Sequence, residues 1–182
     1  MQFWLAMLGS FLLGSIPTAY IIVKIRRQRD IRLMGSGNVG TMNVRGQMGL
    51  GAALLVLMID AAKGAGAIFL CRWGGVDPAL GLAMAVAGHI YPPWLSFHGG
   101  RGLATALGGV LAAGYWAVFL AFAIVWLPAY LLFSNKNGDV SNLAGALGIA
   151  GYYLVAGPDW GLILMGSLIA LKHWQALRGK WA

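Results

Sequence analysis

Glutamate is absent from the 182-residue sequence, and acidic residues are few. The five aspartates are scattered along the chain: Asp30, Asp60, Asp77, Asp139 and Asp159. A site that uses two clustered carboxylates, or a metal held by carboxylates, is therefore not expected. Cys71 is the single cysteine, which excludes a disulfide framework and a cysteine-ligated metal site. The sequence thus predicts a protein without a bound metal.

Motifs of several common enzyme classes are missing as well. The chain has no G-x-S-x-G elbow, no G-x4-G-K-[ST] phosphate loop and no H-x4-D acyltransferase pair. No serine nucleophile with a carboxylate partner is evident. An enzyme with this sequence is expected to use a substrate that is already reactive, while the protein supplies orientation and charge stabilisation.

The composition is that of a membrane protein. Hydrophobic residues make up 59% of the chain and charged residues 10%, whereas soluble domains have about 45–50% and about 25%. Lys and Arg outnumber Asp by 13 to 5. Because these cations lie at the ends of apolar segments, they indicate contact with membrane lipid headgroups rather than with nucleic acid.

Six apolar segments predict membrane helices, since a helix needs roughly 20 apolar residues to cross a bilayer. They are residues 3–23, 50–71, 78–97, 103–133, 140–157 and 159–173, of which the last is short. The first has neither a basic n-region nor a small-residue cleavage site, so we expect a retained span rather than a signal peptide. Residues 103–133 are too long for one span and short for two. Gly114 and Pro128 are the possible break points.

Basic residues predict the orientation. Five of them follow the first segment: Lys24, Arg26, Arg27, Arg29 and Arg32. This loop should be cytoplasmic and the N-terminus outside. The loop around Lys136 and the tail with Arg178 and Lys180 are also cytoplasmic only if residues 103–133 cross the membrane twice. Arg72 is then the one clear exception to the rule that basic residues lie on the cytoplasmic side. We expect an all-α bundle of seven transmembrane helices, of which the fourth is short, forming one domain over residues 1–182. The alternative for residues 103–133 is a re-entrant helix pair instead of two crossings.

The first glycine-rich loop is G-S-G-N-V-G at 35–40. It matches the dinucleotide fingerprint G-x-G-x-x-G, but that motif needs a preceding strand and a βαβ unit, and a basic run precedes it here. Glycines, short polar donors and a nearby cation remain the features of a phosphate site. The candidate ligands are Ser36, Gly37, Asn38, Asn43 and Arg45. A tight interhelical turn is the alternative.

The second glycine-rich loop is H-G-G-R-G at 98–102 and opens the next helix. A helix N-terminus favours an anion, and Arg101 can bind a phosphate through two hydrogen bonds. Gly99, Gly100 and Gly102 are the candidate backbone ligands. The alternative is an arginine that reaches the membrane surface from a helix start. In the predicted topology both loops face the cytoplasm.

Ionisable residues inside apolar segments are candidate functional groups. Asp60 and Lys63 are three residues apart, so they share a helix face and can pair; either a structural ion pair or a ligand contact is consistent with this spacing. His89 precedes two prolines and can be either a structural residue or a ligand. His173 lies at the cytoplasmic end of the last segment, where a cation also suits the helix dipole.

These residues together resemble those of the bacterial acyl-phosphate:glycerol-3-phosphate acyltransferases, the PlsY family, over nearly the whole chain. The matching stretches are GSIPT at 14–18, GSGNVG at 35–40 with Asn43, Asp60 with Lys63 and Gly64, Gly88 and His89 through Pro92, Phe97 with GGRGLAT at 99–105, Val140 with Ser141, and Lys172 with His173.

The resemblance implies seven helices with an external N-terminus in the bacterial inner membrane and an active site facing the cytoplasm. It implies acyl transfer from acyl phosphate to the 1-hydroxyl of glycerol 3-phosphate, giving lysophosphatidate and phosphate, without a cofactor. The loops of Ser36 and Arg101 would hold the two phosphate groups, with Lys63 and His89 near them. Ser141, His173 and Arg101 would act in catalysis. A functional link to an acyl-phosphate-forming enzyme is a further expectation.

The sequence departs from the family pattern at several positions. Arg101 stands where the family usually has Lys, and Arg45 follows Asn43 by two residues rather than three. The third motif has Ala176 in place of an Asn and no nearby Glu. These departures leave open a second function, that of a non-catalytic or altered-substrate relative that binds lipid phosphates.

Overall fold

The structure is a computed structural model that describes residues 1–133 and 138–179. Within these residues the chain is helical, and no strand occurs. The helices are α1 (Gln2–Ser15), α2 (Thr18–Arg27), α3 (Thr41–Met48), α4 (Leu50–Trp73), α5 (Pro78–Ile90), α6 (Leu103–Ala113), α7 (Trp116–Phe133), α8 (Gly138–Ala156) and α9 (Trp160–Leu177). Two single 3₁₀ turns lie in the loops at Ile31–Leu33 and Pro93–Leu95. The predicted all-α class is confirmed, while the predictions for Lys136 and Lys180 lie outside the described residues.

Helix α5 is central to the bundle, where it packs against α1, α4, α6 and α9, and α7 packs on α8 at one side. The buried α5 residues Leu82, Val86 and Ile90 belong to the largest apolar core, together with Met165 of α9. Small residues allow close helix crossings. A Cβ atom at Gly64 of α4 would overlap the backbone carbonyl oxygen of Thr105 on α6.

Three helical segments in the described residues are long and apolar enough to cross a membrane. They are Gln2–Arg27, which joins α1 and α2, Leu50–Trp73 and Trp116–Phe133. Helices α5 and α6 are shorter, with 13 and 11 residues. Each of the predicted segments contains helix, but the number of crossings stays a prediction.

The break within 103–133 lies at Gly114, between α6 and α7. Gly114 has φ of +79°, a left-handed conformation that favours glycine. Pro128, the other candidate, lies inside α7. The predicted helix 78–97 is too long, because α5 ends at Ile90. Pro92 and Pro93 cannot continue the helix, since they lack the backbone N–H group.

The first apolar segment is also interrupted, because Pro17 separates α1 from α2. Pro17 has no backbone N–H group and cannot continue the hydrogen bonding of α1, which ends at Ser15. Here the buried ammonium of Lys63 on α4 donates to the Ile16 carbonyl oxygen at 2.7 Å. The Lys63 nitrogen also lies 2.6 Å from the Asp60 carboxylate, so the predicted pair forms. One buried ion pair thus supports the bend in the first helical segment.

Candidate active site

A polar cavity of about 570 Å³ lies where both glycine-rich loops meet the C-terminal end of α9. Its lining residues are Asp30, Arg32, Leu33, Gly37, Asn38, Ser96, His98, Gly99, Arg101, Lys172 and Ala176. Four of the sequence-predicted site residues line it: Gly37, Asn38, Gly99 and Arg101. The two loops, which are about 60 residues apart in the chain, therefore contribute to the same cavity.

Asn43 gives the first loop its shape. Its buried side chain makes four hydrogen bonds: Oδ1 accepts from the Ser36 N–H at 3.2 Å, while Nδ2 donates to the carbonyls of Met34 at 2.9 Å, Asn38 at 3.0 Å and Ile31 at 3.3 Å. The loop wraps around this amide at the start of α3. The side chain of Asn43 thus organises the loop from within.

The second loop is attached to the end of α5. Gly99 N–H donates to the Ile90 carbonyl and Gly100 N–H to the His89 carbonyl, each at 3.1 Å. These two donors therefore satisfy helix carbonyls. A Cβ atom at Gly100 would lie 2.6 Å from the Val39 carbonyl oxygen of the first loop. Glycine is required here for close packing of the two loops, and the positive charge of the cavity comes from side chains.

Arg32 was not among the sequence-predicted ligands. Its guanidinium is paired with Asp30 through Nη2 and Oδ2 at 2.7 Å, and Nη1 donates to the Leu95 carbonyl at 3.3 Å. It also lies 5.7 Å from the centre of the Tyr20 ring. The hydrogen bonds from Arg32 hold the pKa of Asp30 below its ordinary value and raise the pKa of Arg32. Arg32 thus joins α2 to Asp30 and to the Pro93–Leu95 turn that precedes the second loop.

Arg101, Asp139 and His173 form a connected cluster beside the cavity. The Asp139 Oδ1 atom accepts from Arg101 Nη1 and lies 2.7 Å from His173 Nδ1. His173 Nε2 and the Ser141 hydroxyl are buried and have no hydrogen-bond partner. Of the three residues predicted to act in catalysis, the structure thus joins Arg101 and His173 through Asp139, and Ser141 lies two residues after Asp139 on α8. It adds Asp139, whose position two residues before Ser141 in the sequence was the available signal.

Lys172 is a second cation that was not among the predicted site residues. It is buried, lines the cavity, and its ammonium lies 5.4 Å from the centre of the Tyr91 ring. Of this Lys-His pair near the C-terminal end of α9, Lys172 therefore faces the cavity and His173 faces Asp139.

Other predicted ligands lie away from the cavity wall. Lys63 and His89 are buried behind the second loop, where His89 Nδ1 is 3.8 Å from the Asp60 carboxylate. Gly102 immediately precedes α6 and is buried. Ser36 and Arg45 are exposed. Among the described residues, no three His, Cys or Asp side chains lie close enough to hold a metal ion.

An apolar groove of about 260 Å³ lies between α6, α7, α8 and α9. Its lining residues are Leu103, Ala106, Leu107, Val110, Val118, Phe119, Phe122, Ala123, Trp126, Ala146, Ile149, Met165, Gly166 and Ile169. Leu103 begins α6 two residues after Arg101, so one end of the groove is next to the polar cavity. At the same end Trp126 Nε1 donates to Asn142 Oδ1 at 2.9 Å.

A helical membrane bundle with a basic cavity next to an apolar groove defines a class of protein that can hold an anionic headgroup and an apolar chain together. Comparison with known proteins agrees with this class. The glycerol-3-phosphate acyltransferase family model matches residues 4–181. The chain belongs to this family.

Curated relatives are similar over most of their length. The glycerol-3-phosphate acyltransferase of Mesorhizobium japonicum is 36% identical over 93% of this chain and 87% of its own. The glycerol-3-phosphate acyltransferase of Paramagnetospirillum magneticum is 39% identical over 90% of this chain and 82% of its own length. Crystal structures of PlsY, an integral membrane glycerol 3-phosphate acyltransferase, are also similar. Its glycerol 3-phosphate form has a TM-score of 0.81 and 29% identity over 98% of this chain and 94% of that one. The lysophosphatidic acid form has a TM-score of 0.77 and 28% identity.

Proposed function

We propose that this protein transfers a fatty acyl group from acyl phosphate to the 1-hydroxyl of glycerol 3-phosphate, with lysophosphatidate and phosphate as products. The observation that carries the proposal is the adjacency of the basic cavity and the apolar groove in a member of this acyltransferase family. The cavity suits phosphate groups, because Arg32, Arg101 and Lys172 line it. The groove suits an acyl chain, since its lining is apolar.

The reaction needs little from the protein beyond binding and orientation. Acyl phosphate is a mixed anhydride, so its carbonyl carbon is already activated. The glycerol hydroxyl oxygen attacks this carbon, the bond to the phosphate oxygen breaks, and phosphate leaves with the electron pair and takes up the hydroxyl proton. Arg101 stabilises the phosphate charge, and Ser141 and His173 orient the hydroxyl through their unused hydrogen-bonding atoms.

The remaining predicted ligands act through the two loops. In this proposal Gly37, Asn38 and Gly99 lie at the substrate phosphates, since they line the cavity. Asn43, Gly100 and Gly102 shape the loops that hold those residues. Ser36 and Arg45 approach a phosphate from the exposed side of the first loop. Lys63 and His89 support the site from behind.

The proposed topology has seven membrane crossings, an external N-terminus and a single domain over residues 1–182 in a bacterial inner membrane. The cavity then faces the cytoplasm, where glycerol 3-phosphate and an acyl-phosphate-forming enzyme are located. Basic residues at the end of α2 lie at the cavity end of the bundle, as the positive-inside rule requires. Arg72, the exception, donates to the Ala113 carbonyl at 3.0 Å and caps α6 at the opposite end.

A lipid-phosphate-binding protein without catalytic activity is the second candidate. It is favoured by Ala176, which lines the cavity where the family pattern has an asparagine. Such a protein would use the same cavity and groove but release no lysophosphatidate.

One assay separates these functions. Purified protein is mixed with glycerol 3-phosphate and either palmitoyl phosphate or palmitoyl-CoA, and lysophosphatidate is measured. We expect product from the acyl phosphate alone. We also expect Arg101→Ala to lower turnover by about tenfold or more, whereas Arg27→Ala, an exposed control outside the cavity, leaves it unchanged. Folded protein that gives no product with either donor supports the second candidate, and product from the CoA thioester alone refutes the acyl-phosphate donor.

A further inference from the structure

The apolar groove has one end beside the polar cavity and a second end deep in the bundle. Helix α6 runs away from the polar cavity, and α7 returns after the turn at Gly114. The groove residues nearest to this turn are Val110 on α6 and Val118 on α7. Val118 is 4% exposed and Val110 is 5% exposed, and both belong to the largest apolar core. An acyl chain that enters beside Arg101 and follows the groove therefore ends near these two residues.

Val118 differs from the other residues of α7. In this helix, which the structure describes throughout, Val118 alone is buried. It also lines a second cavity, of about 350 Å³, whose wall includes Tyr115, Tyr153 and Asp159. Among the described residues that line the groove, Val118 is the only one that also lines this second cavity. One valine side chain thus lies between the two spaces.

The position of Val118 is fixed by the turn that precedes α7. The Tyr115 N–H donates to the Val110 carbonyl at 3.0 Å, which attaches the start of α7 to α6. The Ala113 carbonyl at the end of α6 accepts from Arg72 of α4 at 3.0 Å. A chain that is too long for the groove therefore meets a wall whose backbone is hydrogen-bonded to its neighbours.

The length of the groove can be compared with that of an acyl chain. Leu103 and Val110 both line it and are seven residues apart on α6, which corresponds to about 10 Å of helix. Trp126 and Val118 are eight residues apart on α7, or about 12 Å. An extended chain advances about 1.25 Å per carbon, since C–C bonds of about 1.5 Å meet at tetrahedral angles, so the groove holds about nine carbons. With the carbonyl and the first carbons beside Arg101, a chain of about 12 carbons reaches Val118.

We propose that Val118 sets the acyl-chain length that this enzyme prefers. This inference rests on the proposed function. Chains of about 12 carbons fill the groove up to this side chain, whereas longer chains overlap it or bend out of the groove. Removal of the Val118 methyl groups joins the groove to the second cavity and admits longer chains. A larger side chain at the same position shortens the groove.

A second possibility is that the acyl chain leaves the groove sideways into the bilayer. Leu107 lines the groove and is 37% exposed, so this side is open to lipid. A chain that leaves here does not reach Val118, and chains of every greater length then react at similar rates. A third possibility is that Val118 only supports the fold, in which case its replacement lowers the rate for all chain lengths by the same factor. The distribution of products over chain length separates these three possibilities.

The test is a competition between donors of different length. Full-length protein in detergent receives glycerol 3-phosphate and equal concentrations of decanoyl, lauroyl, myristoyl, palmitoyl and stearoyl phosphate. Mass spectrometry then measures each lysophosphatidate at early times, which gives the relative kcat/KM values. Val118→Ala, Val118→Leu and Val118→Phe are compared with the wild type. Val155→Ala and Val155→Phe are the matched controls, because Val155 on α8 is 91% exposed and lines neither space.

We expect the wild type to favour lauroyl over stearoyl phosphate by about tenfold or more. In Val118→Ala the ratio of stearoyl to lauroyl product should rise by about tenfold, and the preferred length should increase by about two carbons or more. Val118→Leu and Val118→Phe should shorten the preferred length, with the larger effect for phenylalanine. The Val155 variants should keep the wild-type product ratios.

A wild type without a length preference would overturn the inference. Unchanged product ratios in Val118→Ala, or equal losses at all chain lengths in the Val118 variants, would overturn it as well. If Val118→Phe does not fold, Val118→Ala and Val118→Leu carry the test. A wild type that forms no lysophosphatidate from any acyl phosphate refutes the proposed function, whereas the outcomes above refute only the role of Val118.

Discussion

Replacing Asn43 tests how the first loop is built. The four hydrogen bonds of its amide connect the start of α3 to residues 31–38. The orientation of the amide is fixed by its partners, because three carbonyl oxygens face Nδ2 and one backbone N–H faces Oδ1. Asn43→Ala removes all four bonds, while Asn43→Asp keeps the acceptor and replaces the donor by a second acceptor.

The expected magnitude follows from these contacts. A typical hydrogen bond contributes about 1 kcal/mol net. Water can reach part of this loop, since Ser36 is exposed, so we expect Asn43→Ala to cost about 3 kcal/mol rather than the sum of four unsatisfied groups. For a chain of this length that lowers Tm by roughly 6–12 °C. KM for glycerol 3-phosphate should rise, because Gly37 and Asn38 line the cavity.

Asn43→Asp is the sharper variant, although it is nearly the same size. Its second carboxylate oxygen would face carbonyl oxygens at 2.9–3.3 Å, so we expect it to cost about 2 kcal/mol more than alanine. Thermal unfolding and initial rates in detergent measure both effects. Asn142→Ala, which loses one hydrogen bond to Trp126, is the control. An Asn43→Asp variant as stable and active as the wild type would refute this account of the loop.

Three further predictions concern packing, acid stability and the groove. Gly64→Ala should destabilise the protein, because its Cβ would overlap α6, whereas Gly51→Ala in the same helix has open space and should be neutral or slightly stabilising in thermal unfolding. The pKa of Asp30 is lowered from 3.8, so the Asp30–Arg32 ion pair stabilises the protein above that pH. This stabilisation is lost as the pH falls through the lowered pKa of Asp30. Asp30→Asn should therefore reduce Tm at neutral pH and approach the Tm of the wild type at strongly acidic pH. Ala146→Phe should fill the groove and lower kcat/KM for palmitoyl phosphate more than for a short-chain acyl phosphate, while Leu147→Phe, on an exposed position, serves as the control.

The helical segments could be predicted from the sequence, because apolar run length and basic flanks are local properties. The break at Gly114 was one of two candidates, and its left-handed conformation distinguishes it from Pro128, which α7 accommodates. Helix α3 was not predicted. The helix has only eight residues, which mix polar and apolar side chains, and it is held by contacts with α4 and by the Asn43 side chain.

The site was predictable in its residue types but not in its connections. The backbone of Gly99 and Gly100 was expected to bind phosphate, and the structure uses both N–H groups at the end of α5. These hydrogen bonds depend on where the second loop folds back onto α5, and the spacing of residues in the sequence does not reveal that position. Asp139 and His173 are 34 residues apart on different helices. Their contact depends on the packing of α8 against α9, so no local pattern could indicate it.

The identity of residue 101 follows from the position of Asp139. In the family pattern set out above this position is usually a lysine, whose ammonium is a compact point charge. Here the side chain lines the phosphate cavity and also donates to a carboxylate. The planar guanidinium has five N–H donors, so one Nη group can hold Asp139 while others remain for a phosphate oxygen. Arginine at 101 therefore suits both of its neighbours, because one part of the guanidinium holds the Asp139 carboxylate and the rest is available to an anion in the cavity.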